Sequence, residues 1–196
     1  MKDPKRHVID VRALPSMFPT HKHEPLFWEC LGRAVATFGF LEETLGKAIF
    51  AFTATKPYSE TEVQNAYESW LTKLEGVLSD QLWNLIETYG KAVKEHPGAT
   101  IENLDELLNQ LKHAAKIRNV ICHGSWQLPD SKGASIPFFV NRQQERFETA
   151  VDINFLTQLQ KHVAELICGV INTVTHMGWQ FPGSNGPGAV IWETRT

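Results

Sequence analysis

The chain has 196 residues and a mass of 22.2 kDa, the size of one ordinary domain. With 42% hydrophobic and 21% charged residues it has the balance of a folded globular protein, which excludes a disordered or fibrous chain. A net charge of −3 excludes a globally basic chain that coats nucleic acid, and leaves room for a local basic stripe.

Cys30, Cys122 and Cys168 are widely spaced and include no C-x-x-C pair, so neither a disulfide scaffold nor a structural zinc knot is expected, and a reducing compartment fits. MKDPKRHVID has no apolar centre, unlike a signal peptide, and no apolar run reaches the ~18 residues of a membrane span. These features predict a soluble, cytoplasmic protein with no membrane partner.

Residues 1–24 carry Pro4, Pro15 and Pro19 without a sustained period and read as an N-terminal arm, in which HVIDVRAL has the composition of a short strand. From Pro25 to Thr53 the residues Phe27, Leu31, Val35, Phe38, Leu41, Leu45, Ile49 and Phe52 recur on one helical face. Pro25 suits a first helical turn, and Pro57 prevents continuation.

A second helical pattern runs from Thr61 to Glu95 through Tyr67, Trp70, Leu71, Leu74, Leu82, Leu85, Tyr89 and Val93. Ser59 or Thr61 can cap it, and Gly76 with Ser79-Asp80 leaves open whether it is one helix or two. His96-Pro97-Gly98 is a stop. The third pattern covers Ile101 to Cys122, with Leu104, Leu107, Leu108, Leu111, Ala115 and Cys122 on one face and Gly124 placed for a left-handed cap.

At Ser125 the period changes. Ser125–Leu128, Ile136–Asn141 and Arg146–Val151 are short and rich in aromatic or β-branched residues, and turn residues separate them. A last helix from Asn154 to Met177, with Asp152 or Asn154 as cap, precedes an irregular, Gly/Pro-rich tail at 179–196. The prediction is a mainly α fold: an antiparallel four-helix bundle over 25–178, with a small β-hairpin or meander inserted at about 125–151, between helices three and four.

The chemistry gathers at the end of the third helix. Projected with Leu104 at zero, Arg118 falls at roughly −40°, inside the apolar stripe. An arginine there must meet a carboxylate, a phosphate or an aqueous cleft, because an unpaired buried charge is very costly. Lys112, Lys116, Asn119 and His123 fall together at roughly 60° to 120°, along one edge of that stripe. The plainer account is that cations near a helix C-terminus complement the macrodipole. Glu42 lies inside the stripe of the first helix, and it either pairs with Arg118 or carries its head to solvent.

Arg118-Asn119-x-x-x-His123, at the end of the third helix of a four-helix bundle, resembles the HEPN superfamily (higher eukaryotes and prokaryotes nucleotide-binding domains). That family's signature is an arginine, often followed by a polar residue, and a histidine a few residues later. The likeness covers roughly residues 25–177; the β insertion and the tail depart from the minimal bundle.

The resemblance implies a metal-independent endoribonuclease of the toxin or defence kind. It would work as a homodimer whose two motifs face one composite cleft, with an antitoxin or nucleotidyltransferase as partner class. It also implies an alternative, a catalytically silent module that binds a nucleotide or a partner protein. In the active form Arg118, Asn119 and His123 are the catalytic set, Glu42 supports Arg118, and Lys112, Lys116 and Trp126 contact RNA. No metal and no cofactor are implied, because the ribose 2′-OH can attack its own phosphate.

A helical interaction bundle with no site is the third reading, and the intact Arg-Asn-His set argues against it. Other residues have bland explanations. His21-Lys22-His23 reads as a solvated loop, His162 and His176 as structural, and Cys122 as a small core residue at the centre of the stripe.

Overall fold

The computed structural model describes residues 7–56, 59 and 82–185. Among them are four α-helices, α1 (Pro25–Ala54), α2 (Leu82–Lys94), α3 (Leu104–His123) and α4 (Ile153–Thr175), so the chain is mainly helical. None of these helices is long and apolar enough to cross a membrane.

Local chemistry explains the ends. Pro25 occupies the first turn of α1, where its missing N–H costs nothing. The Gly98 N–H donates to His96 Nδ1 at 3.1 Å and folds the chain away after α2. Asn103, at φ 62°, makes the left-handed entry into α3 that an asparagine tolerates. Asp152 caps α4 as expected, its carboxylate accepting the Phe155 N–H at 2.7 Å.

Among the described residues, successive helices do not strictly alternate in direction. Thr55, after α1, meets His96, after α2, at 3.4 Å, and Trp179, after α4, packs edge-on to both Phe52 and His96. At the other end His23, before α1, bonds Ser135, which is bridged to Val151 just before α4. Thus α1, α2 and α4 run one way and α3 runs against them. The ion pairs Lys94–Asp105 and Lys112–Glu87 show the antiparallel α2–α3 pair directly.

Whether the second pattern is one helix or two turns on residues 60–81, which lie outside the described residues. The expected positions Tyr67, Trp70, Leu71, Leu74 and Gly76, the Ser79-Asp80 pair and the Thr61 cap lie outside the described residues.

The core sits between α1 and α4, its most extensive contact, and is closed by α2 and α3. Phe27, Phe38, Leu41, Leu45 and Phe52 of α1 meet Leu156, Val163 and Val170 of α4, Leu85, Ile86 and Tyr89 of α2, and Leu111 of α3, all buried. Each fully buried aliphatic or Phe side chain of this kind contributes about 1.5–3 kcal/mol. Tyr89 brings a hydroxyl into the core and satisfies it on Thr173 Oγ1 at 2.9 Å, while burial pushes its phenol up to about 12. Val35, expected in the α1 stripe, is exposed.

One expectation at the edges of the bundle is corrected, and the β insertion is seen only as isolated bridges. HVIDVRAL forms no strand; Asp10 caps a single 3-10 turn at Val11–Ala13 instead, because its carboxylate takes the Arg12 N–H. Residues 125–151 form no continuous strand but three isolated antiparallel bridges, Ser125↔Phe138, Ser135↔Val151 and Val140↔Arg146. Pro137, with no N–H, removes a ladder bond between the second and third of them. The start of the irregular tail packs on the bundle: Phe181 is buried and Trp179 closes over Phe52.

Candidate active site at the end of the third helix

Two neighbours position the last turns of α3. On one side is α1, from which Glu42 Oε1 lies 3.4 Å from Arg118 Nη2. Both side chains are about a third exposed, 29% and 30%, so the pair sits at a rim and not in the core. The guanidinium therefore keeps donors available to solvent, and the carboxylate removes the cost of holding a charge against the bundle.

The other neighbour is the segment after the helix. Gly124 is extended at φ −70°, not left-handed as expected. It is needed for a close approach: a Cβ there would stand 2.6 Å from the Val120 carbonyl and 2.9 Å from Pro137 Cβ. A side chain at 124 would push residues 125–151 off the motif.

Asn119 and His123 are exposed on the outer edge of α3, and Lys116 is exposed one turn before. Lys112 has partners of its own. Its ammonium lies 2.7 Å from Glu87 Oε1 and 5.6 Å from the Trp83 ring centroid, both on α2. Trp83 is level with Lys116 in this antiparallel pair, so α3 beyond Lys116 runs past the first described residue of α2.

That geometry corrects the reading of Cys122. The stripe projection places it in the core, but it is exposed, at the rim where Glu42 of α1 meets Arg118. Local burial pushes its thiol up, with Arg118 lowering it and Glu42 raising it in smaller measure, so Cys122 is a neutral thiol beside the ion pair at neutral pH. The last turn instead buries Val120 and Ile121.

Trp126, read from sequence as an RNA contact, is half-buried in an aromatic cluster, edge-on to Phe27 at 5.0 Å, His23 at 6.2 Å and Trp28 at 6.4 Å. At the centre of that cluster is His23, which is buried, against the expectation of a solvated loop. Its ring stacks on Phe27 at 3.9 Å; Nε2–H donates to the Gln127 carbonyl at 3.2 Å, with Ser135 Oγ at 3.0 Å. Burial lowers its pKa from 6.5, and the bond to Gln127 opposes that shift. The Trp28 indole N–H donates to the Thr20 carbonyl at 2.7 Å and ties the arm to the same cluster.

The structure therefore brings Glu42, Arg118 and Cys122 together, leaves Lys116, Asn119 and His123 open beside them, and gives Lys112 and Trp126 packing partners. Sequence reasoning missed Glu87 and Trp83 as partners of Lys112, and the lock of His23 on Ser135 and Gln127. The one sequence signal for that lock is the aromatic density around His23, in Phe27, Trp28 and Trp126. Comparison with protein-family models, with curated proteins and with solved structures finds no match.

Proposed function

We propose that the chain is a HEPN-type, metal-independent endoribonuclease of the toxin or defence kind. The observation that carries this reading is the rim-held Glu42–Arg118 pair at 3.4 Å, with exposed Asn119 and His123 beside it on the same helix end. In this reading the helices form the HEPN bundle and residues 125–151 are its hairpin insertion. The hairpin is supported by the Ser135↔Val151 and Val140↔Arg146 bridges, which share one register, and by the bond from Asn141 to Glu145 at the turn between them.

The residue types suit attack by the ribose 2′-OH on the adjacent phosphorus. The O2′–P bond forms, the P–O5′ bond breaks, and the proton that leaves O2′ is balanced by one delivered to O5′. An imidazole can take or give such a proton near neutral pH, which is the role of His123. The guanidinium of Arg118 forks onto the phosphoryl oxygens and holds their growing charge, and Asn119 orients the phosphate or the imidazole. Glu42 fixes Arg118, and Lys116 supplies charge along the approach, with Lys112, paired to Glu87, one turn farther back. A two-fold homodimer that joins the third helices would provide two histidines, one as base and one as acid. An antitoxin or nucleotidyltransferase is the partner class of this reading.

The test is cleavage of single-stranded RNA in EDTA, with the product ends identified. The expected products carry a 2′,3′-cyclic phosphate and a 5′-hydroxyl, and a 2′-deoxyribose at the scissile position blocks the cut. Cleavage of the deoxy substrate, or full activity after His123→Ala, overturns the mechanism. Tight RNA binding without any cleavage would assign the silent binding module instead.

A further inference from the structure

We propose that the outward face of the 125–151 segment, centred on Phe138, is a base-stacking platform for single-stranded RNA that enters the site at the end of α3. The proposal rests on the ribonuclease reading above and deepens it.

The first observation is position. Ser125 and Phe138 exchange both backbone hydrogen bonds, at 2.9 and 2.8 Å. Such partners stand about 5.5 Å apart, and Ser125 is only two residues past His123, so the Phe138 Cα lies within about 13 Å of the His123 Cα. Gly124, packed against Pro137, fixes that approach. Phe138 is thus tied to the backbone that carries the motif.

The second observation is alternation. Ser135 and Pro137 are buried, while Ile136 and Phe138 are exposed, by 46% and 58%. Side chains two apart share a face, so the bridged segment turns Trp126 and Pro137 inward and presents Ser125, Ile136 and Phe138 outward. The phenyl ring stands on a backbone pinned by two hydrogen bonds and is left uncovered. That is the geometry on which an unpaired base stacks, since every base has a π-face.

The third observation is charge. Arg146 is bridged to Val140 on the same face, Arg142 sits at the adjoining turn, and both are exposed. Among the described residues neither they, nor Lys132, nor Lys116 forms an ion pair. The segment's charges balance, Lys132, Arg142 and Arg146 against Asp130, Glu145 and Glu148, but two acids are turned to local donors: Asp130 accepts the Lys132 and Ala134 N–H groups, and Glu145 accepts from Asn141, which leaves Arg142 and Arg146 as the cations free to meet phosphate. Glu148, opposite Phe138 in the shared register, is exposed and is the one carboxylate on the face without such a bond. Unpaired arginines beside an exposed ring favour a polyanion carrying aromatic bases over an apolar protein surface.

The experiment uses the full chain carrying His123→Ala, chosen so that RNA can be held without being cut. The probe is a fluorescently labelled single-stranded RNA of about ten nucleotides, within the span such surfaces cover. Phe138→Ala is expected to weaken binding roughly tenfold, as loss of one stacked base does. Phe138→Leu should weaken it as much, because it keeps the apolar bulk and loses the π-face, whereas Phe138→Trp should retain or tighten it. Melting temperatures should stay at the parent value throughout, since the ring is exposed.

Cleavage assays of the same substitutions with His123 intact separate the two ideas. Cleavage by the intact chain, with RNA affinity and KM indifferent to Phe138→Ala and Phe138→Leu, overturns the platform and leaves the nuclease. Phe138-dependent RNA binding without cleavage by the intact chain overturns the nuclease and leaves the platform. Absence of RNA binding overturns both, and would assign this face to a protein partner.

Discussion

From Leu104 to Ala115, α3 buries one continuous stripe, in which Leu104, Leu108, Leu111 and Ala115 are all part of the core. From Arg118 to His123 the positions that continue that stripe, Arg118 and Cys122, are half-exposed and exposed. The period is the same in both halves, but the neighbours differ. The first half is clasped by α2 through Lys94–Asp105 and Lys112–Glu87; the second runs past the described start of α2 and touches α1 through the Glu42–Arg118 pair. A helical period reports the direction of a side chain, and its depth depends on what another element places in front of it. One helix can therefore hold the core with its first turns and offer a polar rim with its last.

The largest expected effects fall on opposite sides of this comparison. His123→Ala should cut the proposed ribonuclease activity by ~10²–10⁴-fold, the usual weight of proton transfer, and leave stability within about 0.5 kcal/mol. Leu111→Ala should do the reverse, losing about 2–5 kcal/mol by emptying a fully buried position. Urea unfolding and a cleavage assay on both proteins check this. A strongly destabilised His123→Ala protein would break the division of α3 into core and rim.

Next in size is Gly124→Ala. The added methyl meets the Val120 carbonyl and Pro137, backbone and ring atoms that yield poorly, so about 1–3 kcal/mol should be lost. Because the strain lies between the motif and the 125–151 segment, activity should fall as well. Stability and activity equal to those of the parent would show that the rim does not depend on that approach.

Glu42→Gln should be milder for folding. The pair is about a third exposed on each side, which places its contribution near 0.2–1 kcal/mol, and more salt should shrink the difference. Activity should fall further than stability, since Arg118 loses its anchor while remaining charged. Equal activity in the two proteins would remove Glu42 from the site.

The smallest effect is expected from pH at the arm. Burial holds the folded-state pKa of His23 below its ordinary 6.5, so in that interval the unfolded chain binds a proton the folded chain does not. Its contribution is complete above about pH 6.5 and is lost as pH falls through the folded value. Thermal unfolding between pH 7.5 and pH 5 should therefore show a shallower acid loss in a His23→Gln protein than in the parent. Identical slopes would mean that the cluster tolerates the imidazolium, and that the arm is not held by the neutral ring.

Much of the helical content was readable in the residues themselves. Phe27 to Phe52, Leu104 to Ala115 and Leu159 to Val174 repeat at helical spacing, and Pro25 and Asp152 mark two starts, because period and capping are local properties of the chain. The Arg118-Asn119…His123 spacing and the intrastripe position of Glu42 were equally local, so the meeting of Glu42 with Arg118 could be anticipated from two projections.

What the chain could not show by itself is everything that depends on which element covers which. The common direction of α1, α2 and α4, the exposure of Cys122, the capture of Lys112 by Glu87 and Trp83, and the burial of His23 under Gln127 and Ser135 all join residues far apart in sequence. Gly124 makes the same point at the smallest scale. Its place after α3 suggested a left-handed cap, a local reason, but it is extended, and what calls for a glycine is that the Val120 carbonyl and Pro137, brought back by the bridge between Ser125 and Phe138, leave no room for a side chain. Local conformational preference sets what each segment can be, and burial, which is a property of pairs of segments, decides which face becomes core and which becomes the site.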